Sequence, residues 1–83
     1  MHTTIRFKIR KDVDTPTARK ILKLKGCLIT QSYTDIIHFD DEGEDFYVHS
    51  FQLEKSKSAL ATDFIRTFSE ENDLKEVVIL FNI

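Results

Sequence analysis

Hydrophobic spacing switches from alternating to helical and back, twice, along these 83 residues. Near the N-terminus Ile5, Phe7 and Ile9 alternate with Thr4, Arg6, Lys8 and Arg10, the period of a half-buried strand. The stretch KDVDTPT breaks that pattern. Thr15 before Pro16 reads as an N-cap followed by proline at the first helical position. Ala18, Ile21 and Leu22, with the stem of Lys25, then share one side, and Arg19, Lys20 and Lys23 the other. Gly26 reads as the residue just past the helix end. The spacing predicts an amphipathic helix over Pro16–Lys25.

The next segment, CLITQSYTDIIHFD, is rich in β-branched and aromatic residues; DEGE interrupts it and DFYVHSFQL resumes it. This predicts a hairpin with its loop at Asp41–Glu44. In that register Phe39 faces Phe46 and Ile37 faces Val48 on one side. His38 opposes Tyr47, and Ile36 opposes His49, on the other. Cys27–Asp40 is long for one strand, where roughly 3–10 residues are usual, so a bulge or bend is expected near Thr34–Asp35. EKSKSALATDFIRTFSEEND predicts a second helix, capped by Ser56 or Ser58, with Leu60, Phe64, Ile65 and Phe68 as its core stripe. The apolar run KEVVILFNI predicts a last strand, with Val77, Ile79 and Phe81 inward and Glu76, Val78, Leu80 and Asn82 outward.

The order β-α-β-β-α-β resembles the ferredoxin-like α/β plait over almost the whole chain. The resemblance implies a single α+β domain, residues 1–83: a four-stranded antiparallel sheet with two helices on one face. Both crossovers should be right-handed. The first and third strands would be central neighbours. The open face would then carry Arg6, Lys8 and Arg10 beside Asp45, Tyr47, His49 and Phe51, flanked by Val78 and Leu80, with His38 and Ile36 on the neighbouring hairpin strand. A one-residue slip would turn every one of these side chains inward.

Composition narrows the function classes. Hydrophobic residues are 41% of the chain and include seven Phe, enough for one small core. The single cysteine, Cys27, cannot form an internal disulfide, which favours a reducing compartment. MHTTIRFKIR lacks the apolar region of a secretion signal, and no apolar run reaches spanning length. A cytoplasmic protein without membrane contact is expected. Residues 1–26 hold eight Lys/Arg and two Asp; residues 27–83 hold four Lys/Arg and twelve acids. Such an imbalance makes two poles, suited to docking or self-association, unless the fold interleaves the segments.

No catalytic constellation emerges. Ser50 and His49 are adjacent on a strand and point to opposite faces. Cys27 follows a helix, so no helix N-terminus activates it, and a small core residue is expected there. The chain's two glycines make no phosphate loop. His38, Asp40, Asp45 and His49 could share a hairpin face, but no metal-ligand spacing supports them, so no metal or cofactor is expected. The acidic run Asp40–Asp45 lacks a calcium-loop pattern and reads as a solubilising hairpin tip.

Three binding readings follow. The leading one is a non-enzymatic protein-interaction or regulatory module: a homodimer, or an inhibitor or subunit of a larger assembly. It uses the open face, with Tyr47, His49 and Phe51 as anchors and Arg6, Lys8 and Arg10 as charge complements. The second is single-stranded RNA on the same face, basic groups holding phosphates and rings stacking on bases. It lacks the RNA-recognition signature: GEDFYVHSF does not match, and Phe7 points inward. The third rests on DTPTARKILKLKG, which resembles the first loop and helix of ACT domains. Asp14 and Pro16 match that family's Asp-x-Pro-Gly, while Thr17 stands at the glycine. That resemblance implies a small-molecule regulatory site near Asp14 and Thr17 at a dimer interface.

Overall fold

The computed structural model describes residues 1–81. Strand β1 spans His2–Arg10, helix α1 Thr15–Thr30, β2 His38–Glu42, β3 Phe46–Glu54, helix α2 Ser58–Glu71 and β4 Val78–Leu80, with a 3₁₀ turn at Lys55–Lys57. The strands form one antiparallel sheet in the order β2-β3-β1-β4. This is the ferredoxin-like arrangement, with β1 and β3 central. Ile5, Phe7 and Ile9 of β1 share one core with Ile21, Leu24 and Leu28 of α1 and with Ala61 and Ile65 of α2. Both helices therefore cover the same face of the sheet and leave the other open.

Helix α1 is longer than the spacing predicts at both ends. Asp14, not Thr15, caps it: its carboxylate accepts the Thr17 N–H at 2.9 Å. At the other end the helix runs straight through Gly26 to Thr30, because Leu28 continues the buried stripe of Ile21 and Leu24. The stop is a left-handed residue further on, Ser32 at φ 64°. Tyr33 N–H donates to the Leu28 carbonyl at 3.0 Å, and Ser32 N–H to that of Ile29 at 3.0 Å. That pair of bonds is the Schellman closure. Cys27 accordingly lies half-buried on α1 rather than at the head of a strand.

The hairpin differs in register. Phe39 pairs with His49 and Glu42 with Phe46, so the loop is Gly43–Asp45, with Gly43 at φ 69°. This is offset by three residues from the expected pairing of Phe39 with Phe46. An odd offset swaps the faces. Tyr47, His49 and Phe51, expected on the open face, lie on the helix side; His49 and Phe51 are buried, and Tyr47 is half-buried. The reason lies in HSFQLE: its alternation places Phe51 and Leu53 in the core and Ser50, Gln52 and Glu54 in solvent. The preceding strand is short, since residues 31–37 form a loop instead of strand. Ile36, expected across from His49, is exposed in that loop.

Helix α2 starts at Ser58 without a side-chain cap, so neither Ser56 nor Ser58 acts as expected. Its stripe is rotated by one position: Ala61 and Ile65 are buried, Phe64 and Phe68 flank them, and Leu60 is exposed. The chain after α2 inserts Leu74 into the core, and Val77 packs beside it. That turn shifts the phase of β4. Val78 lies opposite Ile9 and Leu80 opposite Phe7, both on the core side, while Ile79 lies opposite Lys8 on the open side. Asn82, expected outward, is outside the described residues. Among the described residues no helix is long and apolar enough to cross a membrane.

Candidate functional site

The sheet register assembles the open face in columns. On β1 stand Arg6, Lys8 and Arg10; beside them on β3 stand Ser50, Val48 and Phe46; beyond those on β2 stand His38, Asp40 and Glu42. On the other flank Ile79 of β4 lies next to Lys8 and is 40% exposed. Lys8 is the hub. Its ammonium lies 5.2 Å from the centre of the Phe46 ring and 5.5 Å from that of Phe81. It also reaches Glu42 at 3.6 Å. The Arg10 guanidinium stands 5.4 Å from the Phe46 ring and donates through Nε to the Glu76 carbonyl at 3.2 Å. Each cation lies over a ring whose electron-rich face attracts it.

Four of the residues expected here are here: Arg6, Lys8, Arg10 and His38. Tyr47, His49 and Phe51 face the helices instead, and Ile36 sits beside the sheet rather than on it. Phe46, Val48, Ile79 and Phe81 take their place. The signal for the swap was present in the Ser-Phe-Gln-Leu-Glu alternation of residues 50–54, which ranks two large apolar residues against three polar ones.

The acidic hairpin tip folds back on the basic strand. Lys11 Nζ pairs with Asp41 at 2.6 Å and donates to the Gly43 carbonyl at 3.0 Å. Glu42 meets Lys8 in the same way. The charge imbalance of the sequence is thus partly interleaved at this end of the sheet. Arg19 and Lys23 stay exposed on α1.

On the helix side, three rings lie in register across β1, β3 and β2. His49 stacks on Phe7, with centroids 5.3 Å apart and planes at 17°, and on Phe39 at 5.5 Å and 21°. Tyr47 stands edge-on to Phe39 at 5.7 Å. Lys25 of α1 comes to 3.4 Å from His49 Nε2 and lies 5.3 Å from the Phe39 centroid. Burial foremost, then the charge of Lys25, lower the His49 pKa to about 4, against an opposing pull from the Tyr47 carbonyl. The ring is neutral at pH 7. Since an ammonium can only donate, Nε2 is the acceptor and the proton sits on Nδ1. That atom is buried and has no close hydrogen-bond partner among the described residues.

This arrangement separates the groups weighed as a metal site: His38 and His49 project from opposite faces of the sheet. Among the described residues no group of three or more His, Cys, Asp or Glu could hold a metal ion. The ACT-like pair has a local use. Thr17 N–H is spent on the Asp14 cap, and Thr17 holds the Asp14 carboxyl below its usual range, first through its side chain and then through that N–H. Compared with known proteins, the chain matches no family model and no curated protein.

Proposed function

We propose that the chain is a non-catalytic protein-interaction module that works through its open sheet face by pairing with a second copy. The observation that carries this reading is the column order on that face: Asp40 and Glu42 on β2, Val48 and Phe46 on β3, and Arg6, Lys8 and Arg10 on β1. Neighbouring strands lie about 4.8 Å apart. A two-fold axis running along β3 would set Val48 and Phe46 against their own copies. The same axis would bring Asp40 and Glu42 of each copy over Arg6, Lys8 and Arg10 of the other. An isologous contact needs this self-complementarity. Partly exposed Ile79 supplies further apolar surface at the flank.

Single-stranded nucleic acid fits the same face less well. Its stacking platform was to be Tyr47, His49 and Phe51, which are turned to the helices. The rings that remain, Phe46 and Phe81, are occupied by Lys8, and the carboxylates of Asp40 and Glu42 would repel phosphates.

The test is absolute mass by light scattering after size exclusion, on the wild type and on Val48→Glu. The expected result is a wild-type dimer and a folded, monomeric variant. A monomeric wild type at high concentration, or a variant that stays dimeric, overturns the reading.

A further inference from the structure

The helix side of the sheet carries a second feature that the open face does not use. A groove of about 360 Å³ runs between α1 and the β2–β3 hairpin. That volume is at the small end of ligand-sized clefts, roughly 300–1,000 Å³. Its rim holds two large apolar side chains left in solvent, Leu22 at 66% and Phe39 at 58% exposure. Phe39 is fixed there by stacking on His49 and by the edge of Tyr47.

The charge of the groove has one sign. Lys11 and Lys25 bring that charge, since the guanidinium of Arg10 stands over Phe46 on the open face, and among the described residues no carboxylate lines the groove. Lys11 is already paired with Asp41. Lys25 has no acidic partner among the described residues; it leans on the neutral ring of His49 at 3.4 Å and on Phe39. A half-buried ammonium that has given up water for an imidazole and a ring face gains more from an anion than an exposed lysine does. An apolar wall beside an uncompensated cation matches a ligand with the opposite halves.

We infer that the groove between α1 and the hairpin binds a small carboxylic acid with a compact ring body, its carboxylate on Lys25 and its ring against Phe39 and Leu22. The site lies on the face of the sheet opposite the dimer surface, so it can be occupied in either oligomeric state.

The test uses phenylacetate and its neutral isostere phenylacetamide, titrated into the ¹⁵N-labelled full chain. The expected result is a saturable shift of the Leu22, Lys25, Phe39 and His49 amides with the acid, and at least tenfold weaker binding of the amide. Lys25→Met, at a half-exposed position, should keep a dispersed spectrum and lose the preference for the acid. Equal binding of acid and amide overturns the inference, as do shifts that map to Arg6, Val48 and Ile79 or no saturable shift at millimolar phenylacetate.

Discussion

Lys25 Nζ lies 3.4 Å from His49 Nε2, so an ammonium on α1 donates to an imidazole of the sheet that is held in its neutral form. The ring is 4% exposed and sits between two phenylalanine rings. It completes an aromatic row across the sheet, yet among the described residues it leaves Nδ1 without a close partner. Stability should therefore respond to acid.

The sign follows from the two states. In the unfolded chain His49 titrates near the ordinary value of about 6.5, whereas in the fold it titrates at about 4. Between those values the unfolded chain binds more protons, so stability falls as pH falls. Its contribution is complete above about pH 6.5 and is lost by about pH 4, a difference of about 3 kcal/mol. Urea melts of wild type and His49→Phe across this window will check it. The phenylalanine variant keeps the ring row and should lack this component of the slope; parallel slopes would refute it.

The β3 register separates two phenylalanines five residues apart. Phe51→Ala should cost about 3–5 kcal/mol, because the ring is fully inside the core. Phe46→Ala should cost about 1 kcal/mol, the loss of half-exposed packing and of two cation–ring contacts. Denaturant midpoints give both values, and the opposite ranking would mean the other register.

Gly26 lies inside α1 with open space around its missing Cβ. Gly26→Ala should stabilise by about 0.5–1 kcal/mol. Ser32, at φ 64°, is in the left-handed region that costs a side-chain-bearing residue about 1 kcal/mol, so Ser32→Gly should stabilise similarly. Thermal melts of the two variants and their combination should show increments that nearly add.

If the open faces pair as proposed, the β1 bases meet the β2 acids across the interface. Dimer dissociation should then strengthen when salt rises from about 0.05 M to about 0.5 M, as the screening length shrinks. Analytical ultracentrifugation at both salts measures it. Salt-independent dissociation would place the energy in the apolar contacts of Val48, Phe46 and Ile79 alone.

The element order was legible because the spacing of Ile5, Phe7 and Ile9, then of Ile21 and Leu22, then of Phe64, Ile65 and Phe68, changes period where the structure does. The helix stops were not. The rule that glycine ends helices fails at Gly26, which buried Leu28 carries past. It fails again at Ser32 and Asp73, side-chain-bearing residues that take the left-handed position at the ends of α1 and α2. The faces of β3 were not legible because they hang on the loop: set at Asp41–Glu44 it turns Tyr47, His49 and Phe51 outward, whereas the observed loop at Gly43–Asp45 turns them toward the helices. A buried histidine between two rings is also unlike the usual burial of that residue, and it depends on neighbours distant in sequence, the rings of Phe7 and Phe39 and the ammonium of Lys25. Arg6, Lys8 and Arg10 were placed correctly since β1 has only one sensible phase.

β1 is made first and sits in the middle of the sheet, while β4, its partner on one side, is made last: Phe7 pairs with Leu80. A nascent chain can close the β3 side of β1 earlier, yet its other edge stays open until β4 has been synthesised. Through that interval Phe7 and Ile9 lack the Val78 and Leu80 side of their packing, and the unpaired backbone of β1 is free to take another strand. Folding of this domain on the ribosome is thus held incomplete by topology, and the time between emergence of β3 and emergence of β4 is when the domain is most open to chaperones and to mispairing.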